Sequence, residues 1–246
     1  MPEGLDIILL LAGAFLAGIV TGLTGFGTAL TAMALWLYLL PPVLAAPLVA
    51  FCSLASHLFT VRTIWPDMDV RSAMPFVIGG LVGIPGGVWL LTWISADFFK
   101  LAVGTVLIAY PLFMLLARTP PAITGHGRMG ALAVGVVSGV CGGFAGLSGP
   151  VLVVWSQLCR WSKRRARSVL QLINMVILGI AVFAYGLRGL VGVELLKLVV
   201  LCAPATLCGS WIGLRLYQRI DQESFTRLVL VLLIASGLGL MLPRVL

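Results

Sequence analysis

The stretch GGFAGLSGPVLVVW, residues 142–155, decides how this chain is read, because it sets four glycines, a serine and a proline into a run otherwise apolar enough for a membrane helix. A related stretch, TGLTGFG, lies at 21–27. Aligning GIVTGLTGFGTALTAMALW (18–36) with GVVSGVCGGFAGLSGPVLVVW (135–155) sets Gly18, Thr21, Gly22, Phe26 and Trp36 opposite Gly135, Ser138, Gly139, Phe144 and Trp155. A second parallel joins 83–109 to 209–235, where Gly83, Gly87, Leu90, Ile94, Phe99 and Leu107-Ile108-Ala109 recur as Gly209, Gly213, Leu216, Ile220, Phe225 and Leu233-Ile234-Ala235. Both parallels keep the same order, so the chain reads as one membrane domain over 1–246 that was duplicated, with 1–120 and 125–246 as its copies.

Composition sets the solvent. At 61% hydrophobic and 10% charged, 246 residues cannot hide their apolar atoms in a water-soluble domain. Ten helical segments are expected, at 5–21, 27–40, 43–63, 73–94, 98–117, 129–142, 149–160, 168–187, 193–217 and 223–243. Pro41-Pro42, Pro66 and Pro120-Pro121 punctuate them. Met1 to Asp6 carries Glu3 and Asp6 and lacks the basic start of a signal peptide, so the first segment is expected to stay. The five cysteines lack metal-ligand spacing and read as small hydrophobes, so neither a disulfide framework nor a metal site nor another cofactor is expected. The net charge of +8 lies in loops between apolar spans, which argues for topology rather than nucleic acid.

If the chain reverses at every segment, one face collects Arg62, Arg71, Arg118, Arg128, Arg160, Lys163, Arg164, Arg165, Arg167, Arg215, Arg219 and Arg227, and the other only Lys100, Arg188, Lys197 and Arg244. That asymmetry places the first face in the cytoplasm and both termini outside. An odd number of segments per half inserts the second copy upside down. The fold class expected is therefore an all-α polytopic membrane protein of about eight to ten transmembrane segments, an inverted repeat of two five-segment halves, each with a short broken-helix hairpin plus three full spans. Backbone that leaves a helix at membrane depth must be covered by protein or line a cavity. The two hairpin tips, 21–27 and 141–150, are expected to enter from opposite faces and meet near the centre.

A helix that starts at such a tip presents free N–H groups and a partial positive charge, which suits an anion. Gly25, Gly27, Gly146 and Gly149 allow close backbone approach. Ser148 reads as an N-cap with Pro150 in the first turn, and Thr24 or Thr28 serves similarly in the first copy. Thr24, Thr28 and Thr31 share a helical face by spacing. Ser53, Ser56, His57 and Thr60 form one polar stripe, and Gln171 with Asn174 another, an offset of 118 pairing Ser53 with Gln171 and Ser56 with Asn174. Side chains this polar within spans face protein or water, as interhelical hydrogen bonds or as ligands for substrate oxygens. His57 is the one titratable side chain within a span and a potential proton carrier. No carboxylate lies within a span, which favours an anion over a cation. The basic run RWSKRRARS (160–168) retains topology, touches anionic lipid, or collects anions at the inner vestibule. An intramembrane enzyme would have only Ser148 with His57 as a dyad and lacks an orienting third group, so catalysis is not expected.

The duplicated glycine-rich segments, the polar stretch SVLQLIN at 168–174 and the overall length are similar to the sulfite exporter TauE/SafE family of membrane transporters. The likeness covers essentially the whole chain and is most specific in the two glycine-rich motifs. It implies movement of small sulfur-containing or organic anions, such as sulfite, sulfonates or sulfoacetate, across the cell membrane, in a bacterium the inner one. Thr28 departs from the family's usual first motif, where many first copies carry a proline after the glycines. The partners expected are a small anionic substrate, membrane lipid and a coupling proton or cation. An anion channel is the alternative.

Overall fold

A computed structural model describes residues 4–63, 65, 69–116 and 127–217, together with 230, 231, 233, 234, 237, 238 and 241. Among these residues the chain is helical throughout: α1 (Gly4–Thr24), α2 (Thr28–Trp36), α3 (Pro42–Thr60) with a short 3₁₀ turn at Val61–Thr63, α4 (Val70–Trp93), α5 (Ala96–Leu116), α6 (Arg128–Ala145), α7 (Ser148–Leu158), α8 (Lys163–Leu187) and α9 (Val193–Tyr217). The expected tenth segment falls largely outside the described residues. Its described positions are helical, and Gly237 lies against Gly104, Leu107 and Ile108 of α5.

Seven of the described helices, all but α2 and α7, are long and apolar enough to cross a membrane. Their outward side chains match that solvent: Leu5, Val82, Trp93, Leu116, Phe183 and Val200 are exposed, as large apolar groups are where lipid covers them. The chain is a multi-pass membrane protein.

The first arm of each hairpin is longer than expected. Helix α1 runs on past residue 21 to Thr24, and α6 past 142 to Ala145. Only the return arms are short, at 9 residues for α2 and 11 for α7, or about 14 and 17 Å. The reason lies in what the glycines do. A Cβ on Gly18 would sit 2.1 Å from Thr206 O, and one on Gly22 2.3 Å from Ser210 O, so these residues hold α1 against the backbone of α9 instead of ending the helix. Gly209 and Gly213 answer from α9, against Phe15 and Ile19. The same construction joins α4 to α6, where Gly79, Gly83 and Gly87 face Leu132, Val136 and Val140, while Gly135 and Gly139 face Phe76 and Gly80.

Contact positions advance together along both members of each pair, so α1 runs parallel to α9 and α4 parallel to α6. Alternating directions along α1 to α9 satisfy both pairings. The starts of the even-numbered helices and the ends of the odd-numbered ones then share one face, and contacts agree: Arg165 at the start of α8 donates to Ser72 at the start of α4, and Arg167 reaches Gly22 and Leu23 at the end of α1. Helices α3 and α8 lie between the two pairs, α3 packing on both α8 and α9 and α8 on α4. Two large buried side chains close the interior with their polar ends satisfied. Trp36 Nε1 donates to Leu10 O at 3.1 Å, tying the end of α2 to α1, and Tyr185 OH donates to Gly143 O at 2.7 Å.

Candidate functional site

Both tips break their helices with glycine in the left-handed region, Gly27 at φ 102° and Gly146 at φ 67°, where any side chain is strained. A hydroxyl of the preceding helix bridges each break. The hydroxyls of Thr21 and Thr28 hydrogen-bond across the first gap. Ser138 Oγ, from the residue that aligns with Thr21, donates to the backbone Ser148 O at 3.0 Å across the second. Thr28 and Ser148 are the first residues of α2 and α7.

The expected caps are absent. Helix α2 has Gly27 at its N-cap and α7 has Leu147, neither with a side-chain cap. Ser148 sits one position too late to cap, and its hydroxyl donates instead to Asn174 Oδ1 at 2.8 Å. Thr24 ends α1, where its hydroxyl is held by Val20 O and Phe26 O. The common helical face expected for Thr24, Thr28 and Thr31 does not exist, because Gly25–Gly27 interrupts the helix between the first and the other two. The uncapped starts leave the first-turn N–H groups of α2 and α7 for another acceptor.

The tips meet. A Cβ on Gly149 would lie 3.1 Å from the Phe26 ring, and one on Gly146 would lie 2.9 Å from Val49 and 3.7 Å from Ala29. Between them is an interior cavity of about 10 Å³, lined by Gly27 and Thr28 from the first tip, Gly146, Ser148 and Gly149 from the second, Ser53 and His57 from α3, and Asn174 from α8. That is about the room of one water. Among the described residues its lining carries no charged side chain, and Ser53, His57, Ser148 and Asn174 are all buried. His57 Nδ1 has no hydrogen-bond partner among the described residues, and neither does Gln171 Oε1 one turn before Asn174. A buried polar atom without a partner costs on the order of 1–3 kcal/mol, so a group that satisfies one is bound with that gain.

Four of the expected residues lie outside this cavity. Thr24 lines a neighbouring vestibule, and Gly25 packs against the Arg167 side chain. Ser56 Oγ accepts from Ser210 Oγ at 3.0 Å, joining α3 to α9. Gln171 Nε2 donates to Thr60 Oγ1 at 2.7 Å and to His57 O at 3.3 Å, joining α8 to α3. Ser148 is bonded to Asn174 and makes no hydrogen bond with His57, so the serine–histidine dyad is not assembled.

Phe26 was not among the expected site residues, yet its side chain lines both the inner cavity and the vestibule. The repeat offered the signal, since Phe26 aligns with Phe144 between the glycines. The vestibule is half open and about 200 Å³, with Thr24, Ser156, Gln157, Arg167 and Tyr217 on its wall. Arg167 donates to Gly22 O at 3.0 Å and its guanidinium stacks 4.1 Å from the Tyr217 ring centroid, while its buried Nε has no partner among the described residues. Its charge offsets the negative end of α1. Arg167 stands on the vestibule wall, and Phe26 lines both the vestibule and the chamber.

No curated protein and no solved structure matches the chain. The family model for sulfite exporter TauE/SafE matches residues 10–240, and the chain therefore belongs to that family of membrane transporters.

Proposed function

We propose that this protein is a secondary transporter of small anions, sulfite, sulfonates or related organic anions, moving them across the cytoplasmic membrane by alternating access. The observation that carries the reading is the meeting of two uncapped half-helix starts at a small cavity whose described wall residues carry no charged side chain. Backbone N–H groups and two helix dipoles replace the hydration of an oxyanion without a fixed cation that would hold it too tightly to leave. Ser148, Asn174 and His57 supply polar partners that tell one anion from another. The family's name points to sulfite, and the cavity chemistry agrees with a compact oxyanion.

The inverted repeat finds support in the two glycine-lined pairs. Residues 18 and 22 in the first copy and 135 and 139 in the second do the same work, each against the fourth helix of the other copy. With the arginine-rich face in the cytoplasm, the vestibule at Arg167 opens inward, and Phe26 lines both vestibule and chamber. Both access routes need the tips to part, since a cavity with room for one water cannot hold sulfite. The test is uptake of labelled sulfite and of a panel of organosulfonates into proteoliposomes of the purified protein. Saturable flux supports the reading. Absence of flux across the panel with correctly folded protein overturns it, and unitary currents in planar bilayers would show a channel in its place.

A further inference from the structure

A second cavity, of about 490 Å³, lies at the basic end of the molecule away from the two tips. Its wall is built where three long helices begin. Arg71 and Ser72 come from the first turn of α4, Arg128 from that of α6 and Arg165 from that of α8, with Trp155 and Trp161 beside them. Arg165 is held in place, donating to Ser72 Oγ at 3.2 Å and lying 5.2 Å from the Trp161 ring centroid. The acidic wall residue, Asp69, is occupied as the cap of α4, accepting from Ser72 N–H at 3.0 Å. Arg71 and Arg128 are exposed, and Arg71 bonds Asp69 through its backbone N–H, which leaves its guanidinium out of that contact. Among the described residues, three guanidinium groups against one carboxylate leave an excess of two positive charges on the wall, and the three helix starts add their dipoles.

The surface beside these arginines is apolar. Val70 and Met74 flank Arg71 on α4, Met129 follows Arg128 on α6, and all three are more than half exposed. Val70, Met74 and Met129 belong to helices long and apolar enough to cross a membrane, so lipid hydrocarbon lies beside the arginines. An anion carrying hydrocarbon satisfies both the arginines and this apolar rim. We propose that the cavity is a binding site for the phosphate of an anionic phospholipid, with the headgroup between Arg71, Arg128 and Arg165 and the acyl chains along Val70, Met74 and Met129. The bound lipid ties the α4·α6 pair to the start of α8, the helix that carries Asn174. The inference stands apart from the choice of transported anion.

The test titrates the purified full-length protein, in neutral detergent micelles, with phosphatidylglycerol, phosphatidylcholine and inorganic phosphate, reading bound lipid by native mass spectrometry and unfolding temperature in parallel. Phosphatidylglycerol is expected to be retained and to raise the unfolding temperature, the other two to do neither. At about 1 kcal/mol for each interfacial arginine, the double change Arg71→Gln with Arg128→Gln weakens phosphatidylglycerol about thirty-fold, and Arg128→Gln alone about fivefold. Lysine at both positions keeps most of the binding. Arg215→Gln, which removes a cation stacked on Trp211 away from this cavity, leaves binding unchanged. If the double glutamine variant does not fold, the single variant carries the test. Equal phosphatidylglycerol retention by folded variant and wild type overturns the site, and equal retention of phosphatidylcholine overturns recognition by charge. Protection by inorganic phosphate that depends on Arg71 and Arg128 overturns the lipid as the source of the phosphate.

Discussion

Replacing Gly87 by alanine separates a glycine that holds two helices together from one that is merely tolerated. The added Cβ would lie 2.1 Å from Val140 O and 2.8 Å from Phe144 N, both backbone atoms that no rotamer change can move. A carbon needs about 3.3 Å from a carbonyl oxygen, so α4 and α6 must part by on the order of 1 Å at that level. The loss spreads, because Gly83 and Gly79 rest as closely on Val136 and Leu132, and a gap of about 0.5–1 Å forfeits roughly a quarter to a half of each dispersion contact. Overpacking of this kind costs about 1–3 kcal/mol. Gly86, one residue earlier, has nothing within 4 Å of its added Cβ. There alanine gains helix propensity of about 0.8–1 kcal/mol and meets no neighbour. Two adjacent substitutions of identical chemistry thus have opposite signs. Thermal unfolding of detergent-purified protein, followed by tryptophan fluorescence, reads the difference at roughly 2–4 °C per kcal/mol for a chain of this size. Gly87→Ala should melt several degrees below wild type and Gly86→Ala at or above it. Gly213→Ala, whose Cβ would lie 2.2 Å from Ile19 O, should repeat the loss in the α1·α9 pair. Equal melting of the Gly86 and Gly87 variants refutes the close-contact argument.

Three further outcomes are expected. The Cβ built on Gly149 lies 3.3 Å from Phe26 Cβ, near the separation of about 3.5–4.5 Å that a disulfide spans, so Phe26→Cys with Gly149→Cys, in a chain stripped of its other cysteines, should crosslink the tips and stop uptake until a reductant is added. Unchanged flux through the oxidised protein would exclude separation of the tips as part of transport. Asn174→Asp keeps the acceptor for Ser148 Oγ but adds a negative charge at the chamber, and anion uptake into proteoliposomes should be lost while the protein still folds; wild-type flux would remove Asn174 from the site. Hydrogen bonds from Ser72 hold the Asp69 carboxyl below its ordinary value of 3.8, so the charged form is favoured by folding. The stability this gives over Asp69→Asn is complete above pH 3.8 and disappears as the pH falls through the lower folded value, and melting curves that diverge with falling pH would contradict that sign.

Much of this arrangement was legible in the chain because each signal recurs, at 18–36 and again at 135–155. The breaks near 25 and 146 were visible as glycine clusters, and Thr21 with Ser138 aligned before their shared task of bridging the breaks was known. What misled was the chemistry of glycine, which ends helices in water but joins them in lipid, where small residues let backbones touch. Gly22 and Gly142 therefore looked like helix ends and are helix interior. Ser148 looked like a cap by residue type, yet a one-residue shift in the break made it a first-turn residue free to bond Asn174. Ser56 and Gln171 were polar and buried, as expected, but sequence spacing does not tell which neighbour a buried hydroxyl or amide meets. Phe26 was missed because an aromatic between glycines carries no polar signature, and its position at the throat arises only when the second tip is brought against it.

The same contacts constrain how access could alternate. If residues 1–120 moved as a body against residues 125–246, both glycine-lined pairs would have to shear, since α1 is fixed to α9 and α4 to α6. Backbones that touch without side chains between them have no soft layer along which to slide. The short arms follow their partners, α2 tied to α1 by Trp36 and by Thr21 with Thr28, and α7 tied to α6 by Ser138. Under the alternating access proposed above, the units that would move are then α1, α2 and α9 on one side and α4, α6 and α7 on the other, each carrying one tip. Between them lie the Phe26–Gly149 contact and the small chamber, where side chains rather than touching backbones meet, so parting the tips breaks no glycine-lined backbone contact.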